Sequence, residues 1–248
     1  MNDIMISDDE IKRYAEQYHT AAFIKDDPIQ FPRRYTDQRD IEISGYITSH
    51  LSYGNRTQIL KAAKRMDTLF GGHPYDYVMR CKWRDDFKSI RDSFYRFTSY
   101  ADMCMEFAFL YDTYKWWPTM ESKINTAMLM MNVLCLPIDG MCESFARNPV
   151  SANKRFNMFL RWMVRKDSPV DIGCWHSMSP ASLLIPMDTH VIRMANEWGM
   201  LESKSPSRKN AIKLTEKLND IFPDDPCLGD FALFGYGVEH KRVIANVK

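Results

Sequence analysis

Glycine is scarce, at 10 of 248 residues, and alternating β-branched runs are few, so little in the chain favours a fold built on sheets. The six cysteines, at 81, 104, 135, 142, 174 and 227, form no C-x-x-C pair, which removes the usual spacing of zinc and iron–sulfur sites and suits a reducing compartment. No surplus of one charge exists: 33 Lys and Arg face 32 Asp and Glu. A chain so balanced sets up no broad field to gather an anionic polymer, and any nucleic-acid contact must come from a local patch. The longest apolar run, "TAMLMMNVLCLPI", is broken by Asn132 and too short to span a bilayer, so it reads as a buried helix. The opening "MNDIMISDDEIKRY" lacks the apolar centre of a signal peptide. These absences together imply a cytoplasmic protein without a membrane partner.

What is present is helical periodicity. Hydrophobic residues make up 45% and charged residues 26% of a chain long enough for one large domain or two small lobes. "SDDEIKRYAEQYHTAAF" places Ser7 and Glu10 at capping-box spacing. "DIEISGYITSHLSYG" sets Ile43, Ile47 and Leu51 on one side, and "RTQILKAAKRMDTLFGG" stops at a glycine pair. Met103, Phe107 and Leu110 step at helical spacing in the next segment. "SANKRFNMFLRWMVRK" places Phe156, Phe159, Leu160 and Met163 on a buried stripe and Lys154, Arg161 and Arg165 on another. "DPCLGDFALFGYGVEH" reads as a short closing helix. The expected class is all-α. The 17 methionines and 13% aromatics read as core filling rather than a cofactor pocket, and no cofactor is expected.

The stretch "LLIPMDTHVIRMANEWGM" delivers Asp188 to the start of an amphipathic helix. As an N-cap, its oxygen accepts first-turn N–H bonds, and the helix dipole favours a negative charge there by ~0.3–1 kcal/mol. Such a carboxylate is either a plain structural cap or a group poised to stabilise developing positive charge or take a proton. Lys154 is likewise either a solvated helix-end lysine or an amine nucleophile. Arg161 and Arg165 are either the polar side of their helix or a pair that meets phosphates. The basic segment "KSPSRKNAIKLTEK" reads as surface. In "DIGCWHSM", Trp175 and His176 are either a loop anchored by a buried Trp or a ring and a donor that hold an extruded base. Cys174, His176 and His190 lack regular ligand spacing, so no metal site is expected.

"IPMDTHVIRMANEWGM" resembles a stretch of the helix-hairpin-helix DNA glycosylases (HhH-GPD), the superfamily of endonuclease III and 8-oxoguanine glycosylase. "EISGYITSHLSYGNRTQILKAAKRM" is similar to that superfamily's early helix pair, and "DFALFGYG" to its closing helix. The resemblance implies a two-lobed helical fold with a cleft, with approximate lobes at 40–150 and at 1–39 plus 151–248. It makes Asp188 the catalytic carboxylate and puts Lys154 at the Schiff-base lysine of the lyase members. Damaged duplex DNA would be the partner, with Arg161, Arg165, Trp175, His176 and His190 near it. Two departures stand out: "FARNPVSANKRF" has none of the hairpin glycines that grip a phosphate, and Lys154 and Asp188 lie 34 positions apart because "DSPVDIGCWHSMSPASL" is inserted. The four-cysteine cluster of some relatives is excluded, since only Cys227 follows Asp188.

A closer resemblance, over about residues 10–240, is to the family DUF2400, which shares "DPIQFPRRY…DIEISGYITSHLSYGNR" and "RFNMFLRWMVRKD" followed by "IPMDTHV". The expected activity is cleavage of a base–sugar bond in DNA, a hydrolase step of DNA repair. The alternatives are a nucleic-acid-binding protein that keeps the fold without the chemistry, and a hydrolase acting on a nucleoside or other small molecule.

Overall fold

The computed structural model describes the backbone of residues 6–88, 92–134 and 150–246, and their side chains apart from 128–134 and 241–246. The helices are α1 (Asp8–Tyr18), α2 (Gln38–His50), α3 (Arg56–Phe70), α4 (Pro74–Met79), α5 (Trp83–Asp86), α6 (Tyr100–Trp116), α7 (Met120–Leu134), α8 (Lys154–Val164), α9 (Thr189–Glu197), α10 (Arg208–Ile221) and α11 (Leu228–Asn246). The strands β1 (Ser93–Tyr95) and β2 (Thr98–Ser99) pair antiparallel and form the one sheet among the described residues. The protein is mostly helical. None of the described helices is long and apolar enough to cross a membrane.

The chain divides into two compact units: Asp26–Phe145, and Met1–Lys25 together with Ala146–Lys248. Residues 26–39, which the sequence groups with the terminal segments, fall in the same unit as α2. Their two prolines do not simply break the chain; each starts a 3-10 turn, Pro28–Gln30 and Pro32–Arg34, where a missing N–H costs nothing.

In the unit Asp26–Phe145, α2 is a core helix buried on every side from Ile41 to His50, so the one-sided stripe of Ile43, Ile47 and Leu51 understates it. Glu42 is fully buried. It accepts hydrogen bonds from the Tyr114 hydroxyl at 2.8 Å and the backbone N–H groups of Met120 and Glu121 at 2.8 and 3.2 Å. A core carboxylate is thereby satisfied, and the first turn of α7 is capped with a charge of favourable sign. Met103, Phe107 and Leu110 of α6 are buried as their spacing implies. α3 ends on Gly71 in the left-handed conformation at φ 57°, a backbone state open to glycine without a steric penalty. The apolar run expected as a buried helix begins inside α7, but its side chains from 128 onward lie outside the described residues.

In the other unit, α1 starts on the reciprocal capping box of Ser7 and Glu10 and lies along α11. The closing helix is long rather than short, running 19 residues. Its Gly229, Gly235 and Gly237 are not helix stops; they let neighbouring side chains come close to the backbone. At Gly235 a Cβ would stand 2.2 Å from Tyr18 Cγ and 2.7 Å from Tyr18 Cβ. Those atoms are the root of the ring and cannot swing aside. We therefore expect Gly235→Ala to destabilise the protein despite a helix-propensity gain of about 1 kcal/mol, because overpacking costs about 1–3 kcal/mol. Urea unfolding checks this, and a midpoint at or above wild type would contradict it.

Candidate active site

α8 turns its basic side inward. From Asn157 to Val164 every residue is buried. Arg161 and Arg165 are 4% and 2% exposed, so the expected polar stripe does not face solvent. Lone guanidinium groups at such positions would be prohibitively costly, and three carboxylates meet them. Asp171 bridges both, accepting from Arg161 Nε at 3.1 Å and from Arg165 Nη1. Asp230, third residue of α11, pairs with Arg161 Nη1. Asp225 accepts two bonds from Arg165, at 2.8 and 2.7 Å. Phe231 lies beneath both guanidinium groups, 4.7 and 5.3 Å away. Groups held this way are not left over for phosphates, and the expectation that Arg161 and Arg165 grip DNA is corrected on that ground.

The inserted segment packs onto the end of α8. The N–H groups of Ile172 and Gly173 donate to Trp162 O at 2.9 and 3.1 Å, and that of Trp175 to Met163 O at 2.8 Å. These bonds satisfy carbonyls that a helix C-terminus leaves open. Trp175 is fully buried, edge-on to Phe159 at 5.5 Å. It is an anchor, not a ring offered to a base. His176, next along, is exposed.

The segment then runs to Ile185, whose N–H donates to Thr215 Oγ1 at 3.1 Å, and to the buried Met187. Asp188 follows as the N-cap of α9, with one oxygen, Oδ1, accepting from the N–H groups of His190 and Val191 at 2.8 and 3.0 Å. Oδ2 makes no hydrogen bond among the described residues, and the side chain is partly exposed. One oxygen fixes the group and the other is available. His190 sets its ring 5.8 Å from Phe234 of α11, which keeps the start of α9 against α11.

Lys154 opens α8, half-buried, with Nζ 3.3 Å from the Met158 thioether. Before it, Asn153 adopts the left-handed conformation at φ 45°, so the turn into this helix is made without a glycine. Residues 145–149 of "FARNPVSANKRF" lie outside the described residues.

Asp230 ties these parts together. Burial pushes its carboxyl up to about 6; Arg161 pulls it down, the charge of Asp188 raises it further, and that of Lys154 lowers it. Asp188 and Lys154 therefore share one electrostatic neighbourhood inside a single unit. Asp171, Asp225 and Asp230 had escaped notice in the sequence. The signal for them is two arginines four apart in the otherwise apolar run "MFLRWMVR", which demands buried acids elsewhere. Among the described residues no cluster of three or more His, Cys, Asp or Glu side chains is arranged to hold a metal.

This is a mostly helical protein in which the candidate carboxylate and amine stand beside a buried ion network. The chain belongs to the family described as Protein of unknown function (DUF2400), which matches residues 27–239. No curated protein and no solved structure matches it.

Two outcomes follow from the network. Asp171→Asn leaves two buried guanidinium groups short of a partner and is expected to cost about 3–5 kcal/mol in chemical unfolding; a loss below about 1 kcal/mol would show that the pairs are not closed in solution. The second concerns pH. Asp230 rises on folding from 3.8 to about 6, so its contribution is fully present below 3.8 and is lost as pH rises through 6. His19 is lowered from 6.5 to about 4, first by burial and then by Arg165, against Asp171 and Asp225. Its contribution is present above 6.5 and lost as pH falls toward 4. The two oppose each other across that window. Asp230→Asn should therefore steepen the fall in urea midpoint between pH 6.5 and 4, and His19→Gln should flatten it. Parallel profiles in all three proteins would contradict the assignment.

Proposed function

We propose that this protein is a DNA glycosylase-like enzyme that cleaves the base–sugar bond of a damaged nucleotide, with Asp188 as its catalytic carboxylate. The observation that carries the reading is the divided use of that group: Oδ1 is spent on the first turn of α9 while Oδ2 is uncommitted on a partly exposed side chain. A rigid anion of this kind stabilises the oxocarbenium-like sugar that forms as the base departs, or takes the proton of the attacking group. The likeness of "IPMDTHV" to the HhH-GPD glycosylases supports the same role. Lys154 is the amine for a lyase step, since its charge and that of Asp188 act on the same buried Asp230. The left-handed Asn153 makes the turn into the lysine's helix without a glycine.

The chemistry assigns different tasks to the two groups. In the monofunctional course Asp188 holds the sugar cation and directs water to C1′; the glycosidic bond breaks, and the base leaves with a proton. In the lyase course the Lys154 amine, as its free base, attacks C1′ and displaces the base, which leaves with the proton the amine gives up; the C1′–O4′ bond then opens, O4′ takes a proton from water, and the resulting iminium is what borohydride reduces to a stable adduct.

Asn is as good an N-cap as Asp, so Asp188→Asn keeps α9 and removes only the charge. Base release from a panel of damaged duplexes should fall by about 100-fold or more in this variant, with unfolding unchanged. Release at the wild-type rate would remove Asp188 from the mechanism. Borohydride trapping on an abasic duplex should give an adduct that Lys154→Gln loses. If neither protein forms one while base release persists, water is the nucleophile; binding without release in wild type would select the non-catalytic reading.

A further inference from the structure

The cations expected to meet nucleic acid are buried on α8, and a different set is exposed on the unit Asp26–Phe145. The turn between β1 and β2 is Arg96–Phe97, and Phe97 is 86% exposed. A large apolar side chain so exposed is not explained by core packing; the Arg96 guanidinium lies 5.7 Å from its ring. Nor is the turn a loose end. Tyr53 clamps it: its hydroxyl donates to Tyr95 O at 2.8 Å, accepts from Thr98 N–H at 3.1 Å, and meets Thr98 Oγ1 at 2.8 Å. In return the Tyr95 hydroxyl donates to Tyr53 O at 2.6 Å, and Ser93 Oγ donates to Arg96 O at 2.7 Å. Arg96 holds the left-handed φ of 51° and lies across Gly54. A small hairpin is thus heavily braced to present one bare ring beside a guanidinium.

The surface beside it is cationic. Arg65 of α3 stacks 4.4 Å from the Phe94 ring of the hairpin, and Lys61 and Lys64 lie a turn or less away on the exposed side of α3. Among the described residues Lys61, Lys64 and Arg96 form no ion pair. The neighbouring acids are engaged: Asp67 accepts from Arg34 and Tyr35, and Asp102 caps α6 through Ser99.

We propose that the Phe97 tip and the lysine side of α3 form a binding surface for an unpaired stretch of nucleic acid, with one base stacked on Phe97 and the phosphates running along Lys61 and Lys64. Duplex DNA covers its base faces, whereas an unpaired strand offers them, and stacking on an aromatic platform beside a cationic track is how single strands are held without sequence choice. A lipid surface fits less well, because one ring flanked by a guanidinium buries little apolar area. The inference rests on the nucleic-acid part of the function proposed above, and on none of its chemistry.

Fluorescence anisotropy of the full chain with a labelled single-stranded 20-mer and the matching blunt duplex, at low salt, tests it. The single strand should bind more tightly. Phe97→Ala should weaken that binding by about tenfold or more while leaving the duplex unchanged. The pair Lys61→Gln and Lys64→Gln should reduce the slope of log affinity against log salt by about 1.4. Equal single-strand binding by Phe97→Ala and wild type overturns the proposal, as does wild type that binds neither DNA. So does a Phe97-dependent affinity for anionic vesicles, or Phe97-dependent self-association in sedimentation. Base release is measured separately: its absence with Phe97-dependent binding sinks the glycosylase reading alone, and its presence with Phe97-independent binding sinks this one alone.

Discussion

Two guanidinium groups inside a helical core set the terms for everything around them. Arg161 and Arg165 can be buried only if carboxylates reach them, and the acids come from two separate places in the chain: Asp171 from the segment after α8, and Asp225 and Asp230 from the entry to α11. Asp171 is shared, so neither arginine is closed without that segment. Removing an acid would cost more than the pairs gain over an apolar core. The network is therefore better understood as a device that fixes which segments meet than as a source of net stability.

That fixing reaches the candidate site by a short route. Asp171 and the buried Trp175 hold the segment onto the end of α8, Ile185 is tied to Thr215 of α10, and Met187 is buried just before Asp188. The carboxylate at the head of α9 inherits its position from these contacts. On the other side, Arg161 sits two turns into the helix that Lys154 opens and pairs with Asp230, the acid on which both Lys154 and Asp188 act. Coupling between charges is reciprocal. Any change of charge at Asp188 or Lys154 is felt by the carboxyl of Asp230. The buried network is thus the electrostatic floor of the site as well as its frame.

Much of the helical layout was legible because it depends on local signals. The Ser7–Glu10 box, the Gly71 stop and the Asp188 cap each stand where sequence spacing puts them, and the α6 stripe is buried as its period implies. What could not be read is what depends on distant partners. Periodicity showed that Arg161 and Arg165 share a helix face, but a basic stripe has the same spacing whether water or buried carboxylates await it. Trp175 was open between anchor and platform for the same reason, and the Phe159 ring decides it. α11 runs further than the short closing helix expected of "DPCLGDFALFGYGVEH", and Gly235 within it admits the Tyr18 ring.

The same ambiguity is resolved the other way on α3, where the lysines stay exposed. With charges nearly balanced overall, a cation contributes to binding only where no acid has claimed it. At Arg161, and at Arg165 just past the end of α8, the claim is complete. On α3 the buried positions Ile59, Ala62, Ala63 and Met66 occupy one side, and Lys61 and Lys64 have only solvent to face on the other. Whether a basic helix binds anions is then decided by what the rest of the fold presents to it. An inward face recruits aspartates and becomes scaffold, while an outward face leaves its charge to solvent. The two helices carry similar charge in sequence and meet opposite surroundings in the structure.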